Sequence, residues 1–154
     1  MRKSTRNKVV GLVALAGAWG LAKSYLLSRG TRSRRAEELG GLGLAISHWE
    51  AASAVSPGHL ASSVVLGPLY EEVLYRALLQ PRVGLRAASG VFGMGHYDPD
   101  VPLAMRVAKV IDATAGGALY GLAFALGGLP ASVAAHAAHN LGASLGSAAG
   151  LTGR

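Results

Sequence analysis

Apolar residues along this chain fall in long blocks separated by short polar breaks. The first block, residues 9–27, is close to the roughly 20 residues needed to cross a bilayer. Its one charge, Lys23, lies near one end, where a flexible stem carries the ammonium to the headgroups. A basic start and an apolar core also fit a cleaved signal peptide. Lys23 and Arg29 follow the core without a small-x-small cleavage site, so an uncleaved first span is expected. Residues 30–39 read as a polar connector. Residues 40–55 mix Leu42, Leu44, Ala45, Ile46 and Trp49 with His48 and Glu50. That mixture predicts a short helix lying in the membrane interface, with Trp49 at headgroup level. Ser56, Pro57 and Gly58 mark a turn.

The next apolar run, 60–79, contains Pro68, which is expected to kink it and free backbone groups. Residues 80–86 read as a loop with Pro81, Arg82 and Arg86, and 87–97 as a helix too short to span. Asp98, Pro99, Asp100 and Pro102 break the chain again. A long apolar segment, 103–126, starts with Arg106, Lys109 and Asp112 and turns smooth at Gly116, Gly117 and Gly121, which suits close helix contact. Gly127, Gly128 and Leu129 form a turn before Pro130, which is placed to open a new helix. The last segment, 131–151, is nearly all Ala, Gly, Ser and Leu, with His136, His139 and Asn140 in its middle. The pattern predicts an all-α integral membrane helical bundle with about four or five membrane-embedded helices. Residues 1–36 would hold the basic flank, first span and connector, and 37–154 the core.

Composition agrees. Charged residues are 15% of the chain, against about 25% in a typical soluble domain. Hydrophobic residues reach 51%, carried by Ala, Leu and Val and joined by 22 glycines. The net charge of +7 resembles a nucleic-acid signal, but nine of the fifteen basic residues precede position 36 and flank the first span. Basic flanks are expected beside anionic lipid, and no basic–aromatic interleaving or nucleic-acid module accompanies them. Nucleic acid is therefore not an expected partner. Arg29, Arg32, Arg34 and Arg35, with Lys23, slightly outweigh Arg2, Lys3, Arg6 and Lys8, which places the loop after the first span in the cytoplasm. Cysteine is absent, which removes disulfides, thiolate metal sites and thiol nucleophiles.

Against this background a few polar residues stand out. Glu71, Glu72 and Arg76 sit in the 60–79 run, where each charge is costly and marks a candidate site. Glu72 and Arg76 are i,i+4 neighbours and can pair. Glu71 lies about 100° round the helix and is left for other work. His96 follows Phe92 by one turn on the same face. His136 and Asn140 are another i,i+4 pair, with His139 beside them. Polar groups on three helices satisfy one another most cheaply in one cavity. A carboxylate and an imidazole converging on a water form a general base. A second imidazole and an amide can donate to a developing oxyanion. The same groups suit a divalent metal, with Glu71, His96 and His136 as ligands, although no HExxH is present.

The order EExxxR (Glu71, Glu72, Arg76), FxxxH (Phe92, His96) and HxxxN (His136, Asn140) resembles the CAAX protease and bacteriocin-processing (CPBP) family of intramembrane proteases. That family includes the CAAX prenyl endopeptidases and the bacterial Abi-like proteins. The stretch 121–130 resembles the family's glycine turn before its HxxxN helix, and the likeness covers roughly residues 60–145. The resemblance implies an endopeptidase that cleaves a membrane-anchored protein or peptide at the lipid bilayer. Glu71 would be the general base, His96 would help activate water, and His136 and Asn140 would hold the oxyanion. Glu72, Arg76 and Phe92 would support them, and no cofactor is required. The chain is short, with fewer helices before the first motif than is usual in the family, and no prenyl groove is legible. Short bacterial relatives of this kind resemble processors of C-terminal sorting tags, which implies the bacterial inner (cell) membrane. Two alternatives stand beside this reading. One is a metal-dependent version of the reaction. The other is a non-catalytic membrane scaffold or immunity-type protein that keeps the motif as an interhelical hydrogen-bond network.

Overall fold

The computed structural model describes residues 2–152, and the regular structure among them is entirely helical. Helix α1, Lys3–Leu39, runs through the first apolar block and continues through the stretch expected to be a connector. Arg, Ala, Glu and Leu of 32–39 are strong helix formers with no proline among them. The Thr31 hydroxyl also folds back onto the Leu27 carbonyl at 3.1 Å. The helix stops only at Gly40, where φ is 54°. Helix α2, Gly41–Ala54, buries Gly43, Ser47 and Ala51 and exposes Leu42, Ile46 and Trp49. A surface helix of a soluble protein does the reverse.

Helix α3 begins where Ser56 accepts the His59 backbone N–H at 3.3 Å and Pro57 occupies the first turn. It runs over residues 57–83 and contains two π-helical stretches, Ala61–Leu66 and Val73–Leu79. Each ends just ahead of a proline, Pro68 or Pro81. A proline ring clashes with the carbonyl four residues back and offers it no N–H. The wider i→i+5 turn avoids that conflict: the Gly67 N–H reaches the Ser62 carbonyl, and the Gln80 N–H reaches that of Tyr75. Pro68 therefore widens the helix instead of breaking it.

Gly84, with φ 82° and ψ 166°, ends α3, and α4 follows over 85–94. After an open loop, a second non-helical glycine, Gly128 (φ 71°, ψ −166°), divides the long run Leu103–Thr152 into α5 (103–127) and α6 (129–152). Both conformations are open to glycine at no steric cost. Pro130 sits in the first turn of α6, as expected.

The helices α1 and Leu103–Thr152 each contain an 18-residue window apolar enough to cross a membrane. The interior is built from Ala16, Ala51, Ala88, Ala123 and Ala135, while Val10, Leu15, Leu26 and Leu27 of α1 face outward. Small residues inside and branched aliphatics outside are how helices pack in lipid.

The chain forms two compact units, one from residues up to Val13 with Pro68–His136 and one from Ala14–Gly67 with the residues from Ala137 onward. In the second unit α1 and α6 meet along glycines spaced four apart. A Cβ at Gly142 would strike the Gly17 carbonyl, one at Gly146 the Leu21 carbonyl, and one at Gly150 the Tyr25 carbonyl. Those obstacles are backbone atoms and cannot swing aside. Gly146→Leu is therefore expected to cost about 1–3 kcal/mol through overpacking. Thermal unfolding in detergent measures this. Gly11→Ala, where a new methyl meets nothing within 4 Å, is the control that should not destabilise.

Candidate active site

The first unit contains an unusual core. Arg76 and Glu72 are its largest fully buried side chains, each 0% exposed. They come from the α3 segment around the second π stretch. One helical turn separates them, and Arg76 Nε donates to Glu72 Oε2 at 3.1 Å. The pair foreseen from their spacing is thus formed. The other carboxylate oxygen, Glu72 Oε1, accepts from His136 Nδ1 at 2.9 Å, a contact between residues 64 apart in sequence. Glu72 is therefore held at both oxygens, and His136 is held with its Nε2 facing away from that bond.

Aromatic rings enclose the pair. Tyr120 stacks on the His136 ring at 4.4 Å and 12°, and Phe92 meets it edge-on at 5.8 Å. The Arg76 guanidinium lies 5.2 Å from the Phe92 centroid, a cation–π contact strengthened by exclusion of water. Gly117 makes room for both, since a Cβ there would come within 3.0 Å of Phe92 Cδ1 and 3.2 Å of Arg76 Nη2. Tyr75 packs edge-on against Phe92 at 5.1 Å. The His96 ring lies tilted against that of Phe92 at 4.7 Å and donates from Nδ1 to the Phe92 carbonyl at 2.9 Å. Phe92 is thus the hub that places His96, Arg76 and His136 around one ring.

Glu71 differs from its neighbour. It is half-buried, and its Oε2 is buried with no hydrogen-bond partner among the described residues. The remaining expected residues lie in the second unit. The Asn140 amide donates to the Ser63 carbonyl at 2.7 Å, and the buried His139 ring packs edge-on against Trp19 at 5.5 Å. Among the described residues no three of His, Cys, Asp and Glu are close enough together to hold a metal ion. Glu71, His96 and His136 are not assembled as a ligand set.

Tyr120 and Gln80 have no sequence signal of their own. Tyr120 lies in the glycine-rich part of α5, and Gln80, which donates to the Gly121 carbonyl at 3.2 Å, reads as a loop residue. Only the pairing of α3 with α5 reveals them.

The loop after His96 is held by charge. Arg106 donates to the Val101 carbonyl at 2.6 Å, the Pro99 carbonyl at 2.5 Å and the Tyr97 hydroxyl at 3.1 Å. Lys109 pairs with Asp98 at 2.6 Å, and Asp98 also accepts the Asp100 backbone N–H at 3.0 Å. The Lys109 ammonium, then that backbone bond, hold the Asp98 carboxyl below its ordinary 3.8. A carboxyl whose folded value is lowered contributes above its ordinary value and loses the contribution as pH falls through the lowered one. Hydrogen exchange at Asp100 is therefore expected to stay slow at neutral pH and to accelerate only below about pH 3.8. Lys109→Gln should accelerate it at every pH above that.

Fold and site together define an α-helical integral membrane protein with a buried glutamate–arginine–histidine centre. A family model described as type II CAAX prenyl endopeptidase Rce1-like matches residues 53–142. The match spans more than half of the chain and includes every motif residue. The chain belongs to that family, and the family is one of proteases that act on membrane-associated proteins. Comparison with curated proteins and with solved structures found no match.

Proposed function

We propose that this protein hydrolyses a peptide bond near the C-terminal tag of a membrane-anchored substrate, using water activated by Glu71. The observation that carries this reading is the unequal treatment of two adjacent glutamates. Glu72 has both oxygens engaged, whereas Glu71 keeps a buried oxygen with no hydrogen-bond partner among the described residues. A carboxylate already held by a guanidinium and an imidazole is a poor proton acceptor. One with an unengaged oxygen is suited to bind water and take its proton.

In the reaction Glu71 accepts a proton as the water oxygen attacks the scissile carbonyl. His96, with its Nδ1 committed to the Phe92 carbonyl, presents Nε2 to orient that water. Charge moves to the carbonyl oxygen. His136, in its doubly protonated form, donates from Nδ1 to Glu72 and from Nε2 to this oxyanion. Asn140, four residues on in the sequence, is assigned the second donor on family resemblance. As the tetrahedral adduct collapses, Glu71 returns its proton to the departing amine, which leaves a new carboxylate and a new amine. The bacterial cell membrane is the proposed location, in line with basic clusters on both flanks of α1 that suit anionic leaflets.

Comparative proteomics of membrane fractions from cells with wild-type protein and with Glu71→Ala tests the reading. A small set of proteins should keep C-terminal peptides only in the variant, and those peptides should share a motif. Identical C-termini, with both proteins equally abundant in the membrane, would favour the scaffold role. The bond from Asn140 to the Ser63 carbonyl is the one observation that points toward such a role.

A further inference from the structure

A backbone carbonyl in the first π stretch of α3 has lost both of its regular donors. In an α-helix the Ser63 carbonyl would accept the Gly67 N–H, but that N–H is taken by the Ser62 carbonyl. In a π turn it would accept from residue 68, and residue 68 is a proline, which has no N–H. In a membrane no water takes that place, so the carbonyl needs a side chain. Asn140 of α6 supplies one: its amide nitrogen donates to the Ser63 oxygen at 2.7 Å. One turn away on both helices the buried Ser144 hydroxyl lies 3.4 Å from His59 Nε2, so α3 and α6 are held in antiparallel register at this point.

The carbonyl fixes more than distance. A planar amide has a donor end with two N–H groups and an acceptor end with one oxygen. A carbonyl only accepts, so Ser63 repels the Oδ1 end of Asn140 and holds the NH2 end toward itself. One N–H is spent on Ser63, and the second is then aimed in one direction that the side chain cannot exchange for an oxygen.

We propose that Pro68 is a positioning residue for Asn140: by withholding an N–H from Ser63, it makes that carbonyl the anchor that presents the second Asn140 N–H as a donor. The bearing of this anchor on catalysis rests on the reading of Asn140 as an oxyanion donor; the anchor itself does not.

The test uses the full chain in detergent micelles, isotope-labelled in asparagine alone and read by nuclear magnetic resonance. The chain has two asparagines, Asn140 and the exposed Asn7, so the side-chain spectrum holds two NH2 pairs and Asn7 is the reference. In the wild type one Asn140 proton should exchange slowly and lie downfield of its twin. Pro68→Ala returns an N–H to the position five residues after Ser63, and the slow proton should then exchange about tenfold faster, as expected for one lost hydrogen bond. Should that variant fail to fold, Pro68→Val, which refills the buried site, should show the same change. Pro81→Ala, at the other π stretch, should leave the Asn140 pair unchanged. Cleavage of a membrane-anchored peptide supplies the functional arm. Asn140→Ala should lower kcat about 10²–10³-fold, the usual cost of an oxyanion donor. Pro68→Ala should lower kcat by up to about 10²-fold with KM within about twofold, because a donor is misplaced and binding is untouched. Adding Pro68→Ala to Asn140→Ala should cost nothing further, since the proline acts through the amide.

Two results would overturn the proposal. An Asn140 pair that is the same in the wild type and the Pro68 variants would mean that the proline does not set the anchor. Losses that multiply in the double variant would mean that Pro68 acts elsewhere. Asn140→Ala that cleaves as fast as wild type would instead refute the oxyanion reading, and the anchor would stand or fall on the amide spectrum alone.

Discussion

Glu71→Gln is expected to lower peptide cleavage by about 10²–10⁴-fold, the usual contribution of a positioned general base. The amide keeps the shape of the carboxylate but cannot accept the proton of an attacking water. Folding should be nearly unaffected, within about 0.5 kcal/mol, because Glu71 Oε2 bonds to nothing among the described residues. Cleavage of a reconstituted membrane-anchored peptide, alongside thermal unfolding of the same samples, separates the two effects. Activity within about threefold of wild type would remove Glu71 from the base role. A large loss of stability would show that its carboxylate holds the fold instead.

Glu72→Ala should behave in the opposite way. It strips the hydrogen-bonded carboxylate from a fully buried guanidinium and also removes the acceptor of His136 Nδ1. Breaking a buried ion pair from one side costs about 3–5 kcal/mol, because an uncompensated charge is left behind. Equilibrium unfolding in mixed detergent should show a loss of that size. Replacing both partners with apolar residues, Glu72→Leu with Arg76→Met, should restore most of the stability, since such exchanges are often neutral or better. The restored protein should still be impaired, because His136 no longer has an acceptor to fix its ring. A Glu72→Ala protein as stable as wild type would mean that the 72–76–136 cluster is not the keystone of the first unit. The contrast between neighbours is the sharper test: one glutamate should cost activity without stability, and the other should cost stability first.

Much of this arrangement was legible in the residues. The glycine break before Pro130, the short helix carrying Phe92, and the Glu72–Arg76 pair follow from turn chemistry and i,i+4 spacing, whereas His96 lies in the turn just past the end of that helix. Turn chemistry and spacing act over a few residues and are independent of the rest of the chain. The preference for membrane packing was legible for the same reason, since alanine and glycine inside and leucine outside is a property of composition. The family itself was legible because its motifs are local patterns in a set order.

What remained hidden depends on how helices are rotated against one another. Spacing alone paired Glu72 with Arg76 and left Glu71 for the site, and only the rotation of α3 turned Glu72 toward His136 as well. The two π turns add to that rotation, and their cause, the conflict at Pro68 and Pro81, reads equally well as a kink. Residues 30–39 look like a connector by polarity, yet they continue α1 because helix propensity and the Arg35–Glu50 contact outweigh it. Tyr120 joins the centre only because Gly117 lets α5 come close to Phe92 and Arg76. By itself the sequence determined which polar groups stand out within the apolar blocks and how they are spaced along the chain. The tertiary structure decided which of them are spent on one another and that Glu71 keeps an oxygen unbonded among the described residues, because that choice is set by contacts between helices and not within them.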